Sequence, residues 1–274
     1  MSEIIAVANQ KGGVGKTTTA INLSAALAIA EKKILLVDLD PQANATTGLG
    51  MDKNSLKKDI YSVLIGEAGI REAIINTELK YLSAIPSMRN LDRFEMEAVS
   101  DDSNHLYLKN ALAELGDEYE YIVMDLPPSL GLLTINALTA AHNVLIPIQA
   151  EYYALEGLSD LMNTINRIKE NFNPVLEIKG VLLTMYDERT NLAQQVAAEL
   201  KNYFAEKMCA TTIPRNIRLA EAPSYGKPAL LYDVRSRGAE AYIRLAKEII
   251  ARANGVAYEA PSAEPVESMA ENAD

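Results

Sequence analysis

Three clusters of polar residues, each placed behind an apolar run, could carry chemistry in this sequence. The first is Asn9-Gln10-Lys11-Gly12-Gly13-Val14-Gly15-Lys16-Thr17-Thr18-Thr19. It follows Ile4-Ile5-Ala6-Val7-Ala8, which reads as a buried strand, and precedes Ala20 to Leu27, which reads as an apolar-faced helix. A strand, a Gly-rich turn and Gly-Lys-Thr opening a helix are the context a phosphate-binding loop requires. Glycines let successive N–H groups curl around an anion, and the helix N-terminus adds positive potential. In that role Lys16 is a point charge for the β- and γ-phosphates, and the Thr17 hydroxyl is the natural Mg²⁺ ligand. The general loop pattern has a glycine where Gln10 stands, and Lys11 comes next. A solvated charge and a charge reaching the phosphates, its own or those of a neighbouring subunit, both fit Lys11.

The other two clusters are acidic. Asp38 closes the apolar run Lys33-Ile34-Leu35-Leu36-Val37, and Asp40 follows in a loop before Pro41. Asp125 closes Tyr121-Ile122-Val123-Met124 and is followed by Leu126-Pro127-Pro128-Ser129. An acid ending a buried strand fits the carboxylate that orients Mg²⁺ or its water, though a cap or turn residue fits as well. Asp38 could also reach the Mg²⁺ water shell. A free aspartate has a pKa near about 3.9, so Asp40 is a poor general base and is expected to orient and polarise water. The alternative for Asp40 is an ordinary turn before proline.

The elements that must position these residues alternate between strand and helix. Strands are also predicted over Tyr81–Ile85, Val144–Ile148, Ile178–Met185 and Cys209–Ile213. Helices are predicted over Tyr61–Ile65, Ile70–Ile75, His105–Leu115, Leu130–Ala141, Leu155–Phe172, Asn191–Glu206 and Ala239–Ala253, with a short helix and loop over Arg215–Tyr225. This alternation predicts an α/β fold: a doubly wound, mostly parallel sheet with helices on both faces. Ligands in such folds bind beyond the C-terminal strand ends, where all three polar loops begin. One domain is expected over residues 1–254, followed by an acidic, disordered tail over 255–274.

Composition narrows the class. The single cysteine, Cys209, leaves no intrachain disulfide and disfavours a thiolate metal site, which fits a reducing cytoplasm. No apolar run reaches the ~18 residues of a membrane span. The net charge of −11 argues against nucleic-acid binding, but Glu259, Glu264, Glu267, Glu271 and Asp274 all lie in the tail. The whole-chain balance can therefore hide a basic face.

Together these motifs resemble the deviant Walker-A ATPases, and within them the ParA/Soj-type chromosome- and plasmid-partitioning ATPases. The hallmarks stand as Lys11 to Thr18, Asp38-Leu39-Asp40-Pro41-Gln42-Ala43-Asn44 and Asp125-Leu126-Pro127-Pro128-Ser129. Gly131 to Leu138, Glu151 to Leu158 and Ile213 to Ser224 extend the likeness, which covers about residues 3–253. The resemblance implies an ATP-dependent sandwich homodimer that hydrolyses ATP to ADP with Mg²⁺, slowly without its partner. Lys11 would contact the nucleotide of the neighbouring subunit, and Asp40 would be the hydrolytic aspartate. Lys16 would serve catalysis, Thr17, Asp38, Asp40 and Asp125 the metal, and Pro214, Arg215 and Asn216 the adenine. It also implies non-specific double-stranded DNA, a ParB/Spo0J-type centromere-binding protein and a nucleoid-associated, cytoplasmic place in the cell. Candidate DNA contacts are Arg189, Arg218, Arg244 and Lys247, each of which also fits a solvated surface charge.

The rivals differ by sequence. MinD-type relatives dock on membranes through a basic amphipathic C-terminal helix, whereas this C-terminus is acidic and contains proline. Iron-protein reductases of the superfamily need two cysteines per subunit. ATP-dependent ligases related to dethiobiotin synthetase need a substrate constellation that is not visible, and a module that binds ATP without turnover remains open.

Overall fold

The computed structural model describes residues 2–98, 103–151, 154 and 156–258. Seven strands form one sheet: β1 (Glu3–Val7), β2 (Ile34–Asp38), β3 (Ile75–Asn76), β4 (Leu82–Ile85), β5 (Tyr121–Asp125), β6 (Asn143–Gln149) and β7 (Glu177–Thr184). Their order is β3-β4-β2-β5-β1-β6-β7. Every pairing is parallel except β3 with β4. Parallel strands covered on both faces read as unbroken apolar runs, which is why Ile34–Asp38 and Tyr121–Asp125 are buried at every position.

Eleven α-helices are assigned among the described residues. They are α1 (Lys16–Ile29), α2 (Asn44–Gly48), α3 (Ile60–Leu64), α4 (Phe94–Glu97), α5 (Tyr107–Ala113), α6 (Leu132–Ala140), α7 (Glu156–Asn171), α8 (Asn191–Phe204), α9 (Ile217–Glu221), α10 (Ala229–Tyr232) and α11 (Arg237–Ala253). The strands divide their side chains between two cores, as a period of two requires. Ile5, Val7, Ile34, Leu36, Val123 and Leu145 pack with α1 and α11. Ala6, Leu35, Val37, Ile122, Met124 and Val144 pack on the other face with α3 and α5 to α8.

Topology positions the polar loops. The chain leaves β1, builds β2 to β4 on one side, and returns with β5 between β2 and β1. The register sets Asp125 opposite both Asp38 and Val7, so the ends of β2, β5 and β1 lie side by side. Pro147 lies inside β6, past the residues of β6 that pair with β1, where a missing N–H costs no ladder bond on that side.

Some local expectations change. Cys209–Ile213 is not a strand but an extended segment beside β7, tied through Cys209 N–H to Val181 O and Ile213 N–H to Leu183 O. Ile70–Ile75 is a 3₁₀ turn over Ile70–Ala73 that runs into β3, because Ile75 and Asn76 pair with Ala84 and Ser83. The short helix α2 was not anticipated. Residues 259–274 of the expected tail lie outside the described residues, as do Tyr152, Tyr153 and Leu155.

Candidate nucleotide site

The Gly-rich loop takes the shape its residues favour. Gly13 and Gly15 have φ of 76° and 89°, the left-handed region that a Cβ disfavours. Gly15 is the N-cap of α1, and Lys16 and Thr17 open that helix. A Cβ at Gly12 or Gly13 would meet nothing within 4 Å, so these two glycines border open space. Side chains beyond the end of β1 and at the end of β7 brace the loop. Asn9 accepts from Lys11 N–H at 2.9 Å and donates to Pro147 O at 2.7 Å. Thr184 donates to Val14 O at 2.7 Å. No pattern within the loop points to Thr184, 170 residues away.

Two lysines of the loop face different ways. Lys16 is buried and donates to Lys11 O at 3.2 Å. Burial lowers its pKa, while Asp125 and Asp40 act to raise it. Lys11 is half-exposed, and its ammonium reaches Glu151 at 2.6 Å. The lysine that departs from the general loop pattern is thus paired within its own chain.

The two strand-end acids differ in bonding. Asp125 is fully buried, and neither carboxylate oxygen has a hydrogen-bond partner among the described residues. Burial, and then the neighbouring Asp38, push its pKa well up. The Thr17 hydroxyl lies near and favours the charged form, but its geometry falls short of a hydrogen bond. A buried, unpartnered carboxylate beside a threonine hydroxyl suits a hydrated Mg²⁺, and the Lys16 ammonium beside them suits the phosphates. Asp38 is also buried, and burial pushes it up to about 6. Unlike Asp125 it is bonded, accepting from Asp40 N–H at 3.1 Å and from Thr46 N–H at 2.8 Å. Asp40 is 8% exposed, and its Oδ1 accepts from Gln42 N–H at 2.9 Å. Asp40 also borders an open cavity of about 230 Å³, lined by Pro41, Gln42, Asp92, Pro127, Pro128 and Ser129.

The remaining candidates lie further along the chain. Pro214 bridges to Tyr186 beside the end of β7, Arg215 is exposed, and Asn216 caps α9 by accepting from Arg218 N–H at 2.8 Å. Glu248 on α11 holds the approach to this segment by accepting from Ala210 N–H and Thr211 N–H. Arg189 pairs with Asp187 at 2.7 Å, and Arg218 with Glu221 at 2.8 Å and Asp233 at 3.2 Å. Arg244 and Lys247 lie at i, i+3 on α11, half-exposed and exposed respectively. No helix among the described residues is long and apolar enough to cross a membrane.

Known proteins resemble this chain in sequence and fold. A family model described as an AAA domain matches residues 2–178. The chain is 54% identical over 251 residues to the sporulation initiation inhibitor protein Soj of Bacillus subtilis, covering 92% of this chain and 99% of that protein. It is 51% identical over 252 residues to the chromosome partitioning protein ParA of Myxococcus xanthus, covering 92% of this chain and 89% of that protein. The crystal structure of cobyrinic acid a,c-diamide synthase from Mycobacterium smegmatis, with bound ADP and magnesium, superposes with a TM-score of 0.82. It is 34% identical, and the match covers 93% of this chain and 96% of that one. With the partition proteins matched at higher identity over nearly the same length, the chain belongs to the ParA/Soj family of chromosome-partitioning ATPases.

Proposed function

We propose that this chain is a Mg²⁺-dependent ATPase whose ATP-bound form is a sandwich homodimer that holds DNA without sequence preference. The observation that carries the reading is an unpartnered, buried Asp125 lying beside Thr17 and Lys16 of the Gly-rich loop. Loop amides and Lys16 bind the phosphates, and Thr17 and Asp125 hold the metal, with Asp38 and Asp40 beside them. Mg²⁺ supplies neutralisation of the phosphate charge. Asp40 orients the attacking water, which positions the nucleophile without requiring a strong base. Pro214, Arg215 and Asn216 border the adenine.

Lys11 makes the dimer depend on the nucleotide. The open space beside Gly12 and Gly13 leaves room for a second copy of the loop. Lys11 then exchanges Glu151 for the phosphates of the neighbouring subunit. Two subunits together double the basic contacts of an acidic protein, so DNA is held in the ATP state and released after hydrolysis. A ParB/Spo0J-type partner with a basic segment accelerates that release, which moves chromosomal or plasmid origins across the nucleoid.

The test is DNA retention in the apo, ADP and ATP states, with Lys11 intact and with Lys11→Ala. Retention only with ATP and intact Lys11 is expected. Equal retention in all states counts against the reading. Amide ligation, the chemistry in the name of the Mycobacterium smegmatis structure, is the second reading. It requires ATP turnover to depend on a carboxylic-acid substrate, whereas the partition reading gives turnover with ATP and Mg²⁺ alone.

A further inference from the structure

The loop that carries Asp40 is closed on itself by a side chain outside every motif discussed above. Thr46, 2% exposed, lies in the first turns of α2. Its hydroxyl donates to Asp38 Oδ2 at 2.7 Å, and its N–H donates to the same oxygen at 2.8 Å. Asp38 Oδ1 accepts from Asp40 N–H at 3.1 Å. The Thr46 hydroxyl oxygen in turn accepts from Ser87 N–H at 2.9 Å, just beyond β4. One carboxylate therefore ties the neck of the loop, eight residues apart in sequence, to the backbone of the residue at its functional position.

Local bonds close only part of this loop, from Gln42 N–H and Ala43 N–H to Asp40. α2 has five residues, its N-cap Ala43 lies at φ 55°, and no side chain of the cap bonds its free amides. Asp38 supplies the acceptor instead. The hydroxyl of Thr46 both donates and accepts, its proton to Asp38 and a lone pair to the Ser87 N–H. Valine at this position keeps the shape and removes both bonds. It would leave the Ser87 N–H without its partner in a buried site, which structures avoid, and Asp38 Oδ2 with the Thr46 N–H alone.

We propose that Thr46 is a positioning residue for hydrolysis: with Asp38 it forms a clasp that presets the Asp40 backbone, linking that loop to β4. The proposal rests on the reading of Asp40 as the residue that orients water. It separates the two strand-end acids: Asp125, unpartnered, serves the metal, and Asp38, filled by three donors, serves the loop.

The experiment compares the parent, Thr46→Val, Thr46→Ala and Thr46→Ser by steady-state ATP turnover over a range of Mg²⁺, and by amide hydrogen exchange of the metal-free protein. Thr46→Val and Thr46→Ala should lower kcat on the order of tenfold or more, as misplacement of a positioned group does. KM for ATP and the half-saturating Mg²⁺ concentration should stay within about twofold of the parent, too small a change in binding to account for a tenfold loss. Exchange across Leu39–Ala43 should quicken in both variants, and Thr46→Ser should restore exchange and kcat together. Parent-like kcat in Thr46→Val overturns the proposal. So does a loss that excess Mg²⁺ repairs, since the clasp would then serve the metal. Should the valine and alanine variants not fold, Thr46→Ser decides: parent-like exchange and kcat are expected, and loss of either overturns it. Asp40→Ala runs in parallel. Normal turnover there rejects the functional reading itself, whereas a slow Asp40→Ala beside a parent-like Thr46→Val rejects the clasp alone.

Discussion

Asp125 and Asp38 stand opposite each other in the sheet, yet among the described residues only Asp38 has its oxygens hydrogen-bonded. An unpartnered buried carboxylate destabilises the fold and is kept where it has work to do. Asp125→Asn should therefore lower turnover at least ~100-fold, the scale of losing a positioned electrostatic group. The same change should raise the thermal midpoint of the metal-free protein, because the cost of burying an ionisable carboxyl is gone. The pH dependence has a definite sign. Asp125 and Asp38 both titrate higher folded than unfolded, so the folded state takes up protons first as pH falls. The metal-free protein should gain stability on acidification through the Asp38 value of about 6, with less gain in Asp125→Asn. Melting curves in chelator on either side of that pH read both effects. Lys11 gives a prediction of its own. Its pair with Glu151 is exposed and worth little to stability, so Glu151→Gln should leave the melting midpoint nearly unchanged. It should lower the ATP concentration needed for dimerisation a few-fold, measured by light scattering, because Lys11 no longer has to leave a partner.

At the scale of elements, the site is held by contacts between segments far apart in sequence. The turn after α2 reaches the turn after Tyr225 through two glycines, Gly50 at φ 78° and Gly226 at φ 64°. A Cβ on Gly50 would lie 2.8 Å from Gly226 O, and one on Gly226 would lie 2.6 Å from Gly50 Cα. The turn after α2 and the turn after Tyr225 are therefore docked backbone to backbone. Gly50→Ala should cost about 1–3 kcal/mol of stability through positive φ and overpacking, measured by denaturant unfolding. What could be read from sequence follows the same division. β2 and β5 were legible because a doubly covered parallel strand is a continuous apolar run, and their terminal acids stood out against it. β3 was not, because it has two residues and exists only through pairing with β4. α2 was not, because Asn-Ala-Thr-Thr-Gly has weak helix propensity and its first turn is bonded by Asp38. Lys11 was legible as a departure from the loop pattern. Its partner Glu151 stood in a stretch noted for its likeness, 140 residues away, with nothing to join the two.

For the whole molecule, charge and assembly are one question. The protein carries a net charge of −11, and two of its candidate DNA-binding arginines are already paired with carboxylates. On the proposed reading DNA competes with those carboxylates for Arg189 and Arg218, so single subunits should bind weakly and affinity should fall steeply with salt. Binding that survives high salt unchanged would place the contacts elsewhere. Everything else in the account depends on ATP joining two copies through Lys11 and on Asp40 ending that state. The direct measurement is the mass in solution of Asp40→Ala with ATP and Mg²⁺, with ADP and Mg²⁺, and with Lys11→Ala added. The account predicts a dimer with ATP and monomers in the other two cases. A monomer with ATP, or a dimer that ignores the nucleotide or Lys11, would contradict it.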